Sequence, residues 1–177
     1  WVWRFTPAPY GPLSLRLQEL IVVASGMQPY LSAVLMRIPA LIGVVLIVVL
    51  LPRIAHRLGV DPQLTAWFAT LNPLLVIDFV GGEHNDALMM GLVVLALWMG
   101  MKGRWWLGGA VVVGIAASIK QPAFLAAYAL PLLTQPLLTW KRRDILHTLG
   151  RIAVSCAIAI GTFVVVSLGC GLGFGWL

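Results

Sequence analysis

One apolar run of full membrane-spanning length constrains this chain most. Leu31 to Leu51 contains Arg37 as its sole ionisable side chain, and about 20 such residues in helical form cross a hydrocarbon core of roughly 30 Å. Inside lipid every backbone donor and acceptor must be satisfied within the chain, which leaves helices or a closed barrel. Comparable apolar stretches recur, at Leu64 to Val80, Ala87 to Met101, Trp105 to Ile119, Ala123 to Trp140 and Ile145 to Leu168. One or two of them fit a soluble core, but the whole set does not. With 60% hydrophobic and 10% charged residues and a mean hydropathy of +0.96, the chain lies far from ordinary soluble composition. The expected fold is all-α: a polytopic transmembrane helical bundle of about six spans, all within one domain over residues 1–177.

Residues 1–30 read as a loop and an interfacial helix, ahead of transmembrane helices over 31–177. Thr6-Pro7-Ala8-Pro9-Tyr10-Gly11-Pro12 is too rich in proline for regular helix, and Leu13 to Ala24 is amphipathic, with Arg16 and Glu19. Pro52-Arg53 is expected to end the first span, and Asn72-Pro73 interrupts the second. Pro122 breaks the helix after Lys120. The start at Trp1-Val2-Trp3, without methionine, charged n-region or small-residue cleavage site, reads as an internal fragment without a signal peptide.

The net charge of +6 does not indicate nucleic acid, because the basic residues sit in short loops between apolar runs. Alternating the spans puts Arg53 to Asp61, Lys102 to Arg104 and Lys141 to Asp144 on one side. With Arg151, that side holds eight of the twelve Lys and Arg residues. The positive-inside rule makes it cytoplasmic. His56 and His147 are expected to be solvated there. The N-terminal segment, Val80 to Gly91 and Lys120 then share the extracytoplasmic face. Trp105, Trp106 and Trp140 suit an interfacial aromatic belt, whereas Trp3 and Tyr10 suit either that belt or stacking on a sugar. Cys156 and Cys170 are expected to pack as small apolar residues.

Chemistry concentrates in VGGEHNDALMMG, Val80 to Gly91. Three of the six acidic residues, Asp78 just before it and Glu83 and Asp86 within it, fall in nine positions, beside His84 and Asn85. Ionisable groups at membrane depth are costly and mark functional or paired sites. Asn85 or Asp86 also suits a helix N-cap, a role that leaves Glu83, His84 and the paired glycines unexplained. Gly81 and Gly82 permit positive φ and close approach. Four consecutive residues cannot easily converge on one ion, so no divalent metal is expected. Arg37 and Lys120 stand at the same face. Each alone could snorkel to headgroups; together they suit a lipid phosphate held by charge-assisted hydrogen bonds.

WRFTPAPYGPLSL (Trp3 to Leu15), LNPLLVIDFVGGEHNDALMMG (Leu71 to Gly91) and AASIKQPAFLAAYALPLL (Ala116 to Leu133) resemble, in order and approximate spacing, the polyprenol-phosphate-mannose-dependent alpha-1,6-mannosyltransferases of actinobacterial cell envelopes. These are multi-span glycosyltransferases of the GT-C type. The resemblance implies a GT-C-like helical fold in the cell membrane with an extracytoplasmic active face. It implies a polyprenyl phosphate mannose donor, a lipomannan or lipoglycan acceptor, membrane lipid as surroundings, and no cofactor. The positions it carries over are Tyr10, Gly11, His84, Asn85, Asp86 and Lys120; Glu83 stands where relatives commonly have a small residue. The catalytic carboxylate of GT-C enzymes generally lies in the first extracytoplasmic loop, here mostly upstream of Trp1.

On this reading His84 and Asp86 are the catalytic candidates, with Asp86 the fallback base. Lys120, with Arg37, binds the carrier phosphate, while Asn85, Glu83, Tyr10 and Gly11 complete the substrate site. The competing class is a transporter with a polar site at the helix breaks. A membrane scaffold is a third possibility and leaves the acidic loop without a role.

Overall fold

A computed structural model of the chain describes residues 10–73, 75–134 and 141–172. Trp3 and Trp140, with the rest of the first motif before Tyr10 and the end of the expected Ala123 to Trp140 span, lie outside the described residues. Every regular element among those described is helical.

The first helix, α1 (Pro12–Ala24), starts with proline at its first position, where the missing N–H costs nothing. It ends at Gly26, whose φ of 66° closes the last turn in the usual left-handed way. Ser25 and Ser32 then join hydroxyls at 2.6 Å, tying the end of α1 to α2 (Pro29–Leu35). A break at Met36 separates α2 from α3 (Arg37–Arg57). Its cause is Pro39, which has no N–H for the carbonyl of Leu35 and crowds that preceding turn.

Helix α3 continues through Pro52 to Arg57, so the expected stop at Pro52-Arg53 is corrected. Pro52 removes only the backbone donor for the carbonyl of Val48, and the helix runs on beyond it; Arg53 Nη1 donates to the neighbouring Val49 carbonyl at 2.9 Å. The chain returns through α4 (Pro62–Thr70), capped by the Asp61 carboxylate, and a wide π-type helical stretch, Leu75–Gly81. Between them Asn72-Pro73 makes the expected interruption.

Next come α5 (Asn85–Gly100), a 3-10 turn and α6 (Trp106–Ala117). The expected span from Ala123 is segmented: a 3-10 turn (Gln121–Phe124), α7 (Leu125–Ala129) and a second 3-10 stretch (Leu130–Thr134). Pro122 and Pro131 each remove a backbone donor from what would otherwise be one helix. The chain then runs through α8 (Arg142–Gly169).

The close contacts fix the direction of each pass. Arg37 reaches Glu83 at the start of α3, and Arg57 reaches the carbonyl of Met101 at its end, so α3 and α5 run parallel. They pack closely because both are small where they meet. A Cβ on Gly91 would stand 2.6 Å from the Cα of Gly43, and one on Gly43 would overlap the carbonyl of Ala87. Such small-residue contacts let helix backbones approach where the hydrophobic effect cannot drive association. Helix α6 returns, and the segmented stretch beyond Lys120 brings Leu130 against Gly100 and Gly109. Helix α8 then runs back, with Gly114 of α6 against Ala159 and Thr162. The chain thus shuttles between two ends of one bundle.

Among the described residues, two stretches are long and apolar enough to cross a membrane, Pro29–Arg57 and Arg142–Gly169; Asn85–Gly100, Gly103–Ala117 and Gln121–Leu133 are shorter apolar helices. The long stretches leave Ile38, Ile42, Val45, Val49, Ile160 and Val165 uncovered, as suits association with lipid. Between the helices the core is built of small residues: Ala96, Ala110, Val113, Ala127 and Ala159 pack with Trp106 and Leu130.

Candidate functional site

One end of the bundle gathers the starts of α1, α3 and α5 and the end of α6. Two backbone hydrogen bonds dock the first motif onto the third: Gly11 N–H donates to Ile119 O at 2.9 Å and Leu13 N–H to Ser118 O at 3.0 Å. Any side chain at Gly11 would run into the Ser118 carbonyl. Gly11 is therefore structural here, holding PYGP beside the turn that carries Lys120.

Lys120 follows that turn in extended conformation and meets the acidic loop. Its Nζ donates to both carboxylate oxygens of Asp86, each at 2.8 Å. Asp86 lies in the first turn of α5, where the helix dipole also favours a carboxylate. Across the loop, Arg37 Nη1 stands 3.1 Å from Glu83 Oε1 and donates to Ala33 O at 3.0 Å. The side chains of Lys120 and Asp86 are 32% and 30% exposed, so solvent screens the pair and its worth is about 1 kcal/mol at most. Their contribution is geometric: two cations from distant segments fix the two carboxylates of one loop.

The loop's backbone differs from expectation. Positive φ falls on Glu83, at 57°, not on Gly81 or Gly82. Gly82 is required by close approach, since a Cβ there would lie 2.5 Å from Asp78 O and 2.8 Å from His84 Cδ2. His84, in extended conformation, occupies the N-cap of α5, and no side chain caps the helix by hydrogen bonding. The capping role considered for Asn85 and Asp86 is thus corrected. Asn85 begins the helix, and Asp86 is engaged with Lys120.

Between this loop, α1 and the α2–α3 break lies a cavity of about 260 Å3. Tyr10, Ser14, Gln18, Glu83, His84 and Asn85 give it polar lining, and Leu17, Ile21, Met36, Pro39 and Leu88 an apolar wall. The structure therefore brings four of the candidates, Tyr10, Glu83, His84 and Asn85, to one cavity. Arg37, Asp86 and Lys120 sit beside it, each adjacent in sequence to a lining residue. Asp78 is exposed on the π-type stretch and is not part of the lining. Among the described residues, no three of His, Cys, Asp and Glu come close enough to hold a metal ion together.

Ser14 and Gln18 were not among the candidates. Gln18 Nε2 donates to Ser14 Oγ at 3.3 Å, and both face the acidic loop across the cavity. Their spacing was the available signal: positions i and i+4 of a helix share a face, and this polar pair breaks an otherwise apolar side of α1.

An arrangement of carboxylates, cations, amides and one imidazole around an amphiphilic cavity suits a ligand with hydroxyl groups, negative charge and an apolar portion. Comparison with known proteins identifies the family. Residues 1–136 match the family model described as alpha-(1->6)-mannopyranosyltransferase, N-terminal domain. The chain is 33% identical over 181 residues to alpha-(1->6)-mannopyranosyltransferase A of Mycobacterium tuberculosis, covering 99% of this chain and 34% of that protein. It is 35% identical over 124 residues to alpha-(1->6)-mannopyranosyltransferase A of Corynebacterium glutamicum, covering 70% and 25%. The chain thus spans about a third or less of these curated relatives. No solved structure matches it. Transferase names among the relatives do not favour the transporter alternative. The chain belongs to the alpha-(1->6)-mannopyranosyltransferase family, within the region that its N-terminal domain model describes.

Proposed function

We propose that the natural protein carrying this sequence is a multi-pass membrane glycosyltransferase. It takes mannose from a polyprenyl phosphate carrier and adds it to a growing alpha-1,6-linked mannan of a lipoglycan, on the extracytoplasmic side. On this reading about six helical stretches cross the membrane, and the end with the cavity faces outward. Support comes from the charge distribution, since the cations of Arg53, Arg57, Lys102 and Arg104 collect at the opposite end, as the positive-inside rule requires of a cytoplasmic face.

The observation that carries the site is the meeting of Lys120 with Asp86 beside the cavity. In transfer, an acceptor hydroxyl oxygen bonds to the anomeric carbon of mannose. The bond from that carbon to the phosphate oxygen breaks, its electron pair leaves on the carrier phosphate, and the hydroxyl proton passes to a base. Lys120 and Arg37 stabilise the departing phosphate. Each retains N–H donors beyond those held by the carboxylates, because an ammonium has three and a guanidinium five. Glu83 and Asp86 aim the two cations, while His84, Asn85 and Tyr10 orient the sugar. His84 is placed to relay the hydroxyl proton, and Asp86 takes it if no carboxylate elsewhere in the protein does. No metal or other cofactor is needed, because phosphate is already a fair leaving group and the cations supply the charge.

The test is Lys120→Ala in the full-length enzyme, assayed in membranes with radiolabelled lipid-linked mannose. Loss of a positioned charge at the leaving group should lower transfer on the order of 100-fold, with partial recovery in Lys120→Arg. Unchanged transfer in Lys120→Ala would remove Lys120 from the site.

A further inference from the structure

At the end of the bundle away from the cavity, α3 and α5 finish side by side, and a second group of charges collects there. The Arg57 guanidinium lies 4.7 Å from the ring centroid of Trp98, and the Lys102 ammonium 4.4 Å from the same centroid. The two cations are therefore within about 9 Å of each other, a bound set by those two distances. Trp98 packs against the cluster of Ile47, Leu50, Ala69 and Val94, so the indole is held by the core. Arg57 is held as well, since its Nη1 donates to Met101 O at 2.9 Å and covers a terminal carbonyl of α5.

Arg53, one turn before Arg57, and Arg104, two positions after Lys102, are exposed at the same end. Among the described residues, none of these four cations pairs with a carboxylate; the ion pairs present are Arg16–Glu19, Arg37–Glu83 and Lys120–Asp86. This is the reverse of the cavity end, where two cations each have an acidic partner.

Two like charges on one indole repel each other, and attraction to the ring face offsets this only in part. An anion that touches both would turn the repulsion into two favourable contacts. A phosphate group is large enough to reach both cations within that bound: it presents several oxygens, and charge-assisted N–H···O contacts span about 2.8 Å each. Guanidinium and ammonium groups both bind phosphate, one as a fork and the other as a point charge.

We propose that Arg57, Lys102 and Trp98 form a binding site for one anionic phosphate group at the end of the bundle opposite the cavity. The group is either the phosphodiester of a lipid headgroup or a soluble phosphate. The site is separate from mannosyl transfer and does not depend on that reading.

The intact natural protein, purified in neutral detergent, is titrated by calorimetry with short-chain phosphatidylglycerol and, separately, with inorganic phosphate. Saturable binding with one equivalent is expected. The double substitution Arg57→Gln/Lys102→Gln should weaken it at least tenfold, while Lys102→Arg and Arg143→Gln, a cation at the start of α8 that has no contact with Trp98 among those described, should stay within twofold. Phosphatidylglycerol binding at least tenfold tighter than inorganic phosphate identifies a lipid site, and equal affinities identify a soluble anion.

Lys102→Gln leaves the Arg57 bond to Met101 in place, so it serves as the variant if the double one misfolds, with at least threefold weakening expected. Wild-type affinity in folded Lys102→Gln and Arg57→Gln/Lys102→Gln proteins would overturn the site. Equal weakening by Arg143→Gln would do the same, since diffuse surface charge would then suffice.

Discussion

The Gly11 amide donates to the Ile119 carbonyl at 2.9 Å across 108 positions of sequence, and this bond places the end of the proline-rich segment against the turn leading into Lys120. A methyl group at Gly11 would overlap the Ser118 carbonyl, which as backbone cannot swing aside. Gly11→Ala should cost about 1–3 kcal/mol and lower the unfolding midpoint of the purified protein. Because the displaced turn carries Lys120, transferase activity should fall with it. An unchanged midpoint would mean that the two segments are not docked this way.

Glu83 combines an ion pair with a left-handed backbone, and two substitutions separate the contributions. Glu83→Ala and Glu83→Gly both remove the pair with Arg37, which at 38% and 24% side-chain exposure is worth about 1 kcal/mol or less after screening. Only glycine also relieves the φ of 57°. Glu83→Gly should therefore be the more stable of the two by about 1 kcal/mol, measured by denaturant unfolding in detergent. Equal stability would show that the loop adopts another backbone.

Glycines in the helices should divide sharply by what surrounds them. Gly91→Val would drive its side chain into Gly43, 2.6 Å from where a Cβ would stand, and separate α3 from α5. A loss of about 3 kcal/mol or more is expected in thermal unfolding. Gly150 in α8 has nothing within 4 Å of a built Cβ, so Gly150→Ala should stabilise the helix by about 0.5–1 kcal/mol. A destabilised Gly150→Ala protein would place that face of α8 against another element.

Gln18 tests whether the cavity holds a hydroxyl-bearing ligand. Gln18→Leu keeps similar bulk and removes both amide hydrogen-bonding groups from the lining. The full-length enzyme should lose about tenfold in kcat/KM for the lipid-linked sugar, in line with about 1–1.5 kcal/mol for a hydrogen bond. Its unfolding midpoint should stay within a degree or two. Wild-type kinetics in a folded Gln18→Leu protein would put the sugar elsewhere.

The order of helices and breaks was legible in the chain because both are local properties. Apolar runs of near-spanning length, Asn72-Pro73 and Pro122 mark where helix begins and ends through neighbours a few residues apart, and the cations near Arg53, Lys102 and Arg142 mark which ends lie together. Pro52 misled because a proline removes a single backbone donor, here the one for Val48, and the helix continues past it to Arg57. The acidic loop stood out for a similar local reason: charge is scarce elsewhere in the chain.

The partners in that loop were decided by tertiary packing. Arg37 pairs with Glu83 and Lys120 with Asp86 because Gly43, Ala87 and Gly91 let α3 and α5 run parallel in close contact, and Gly11 pins α1 to the end of α6. Spacing along the chain carries no record of contacts made across tens of residues. The left-handed turn at Glu83 and the inward face of Ser14 and Gln18 have the same origin. Each is set by what the neighbouring helices leave room for, which a residue's own local preferences cannot specify.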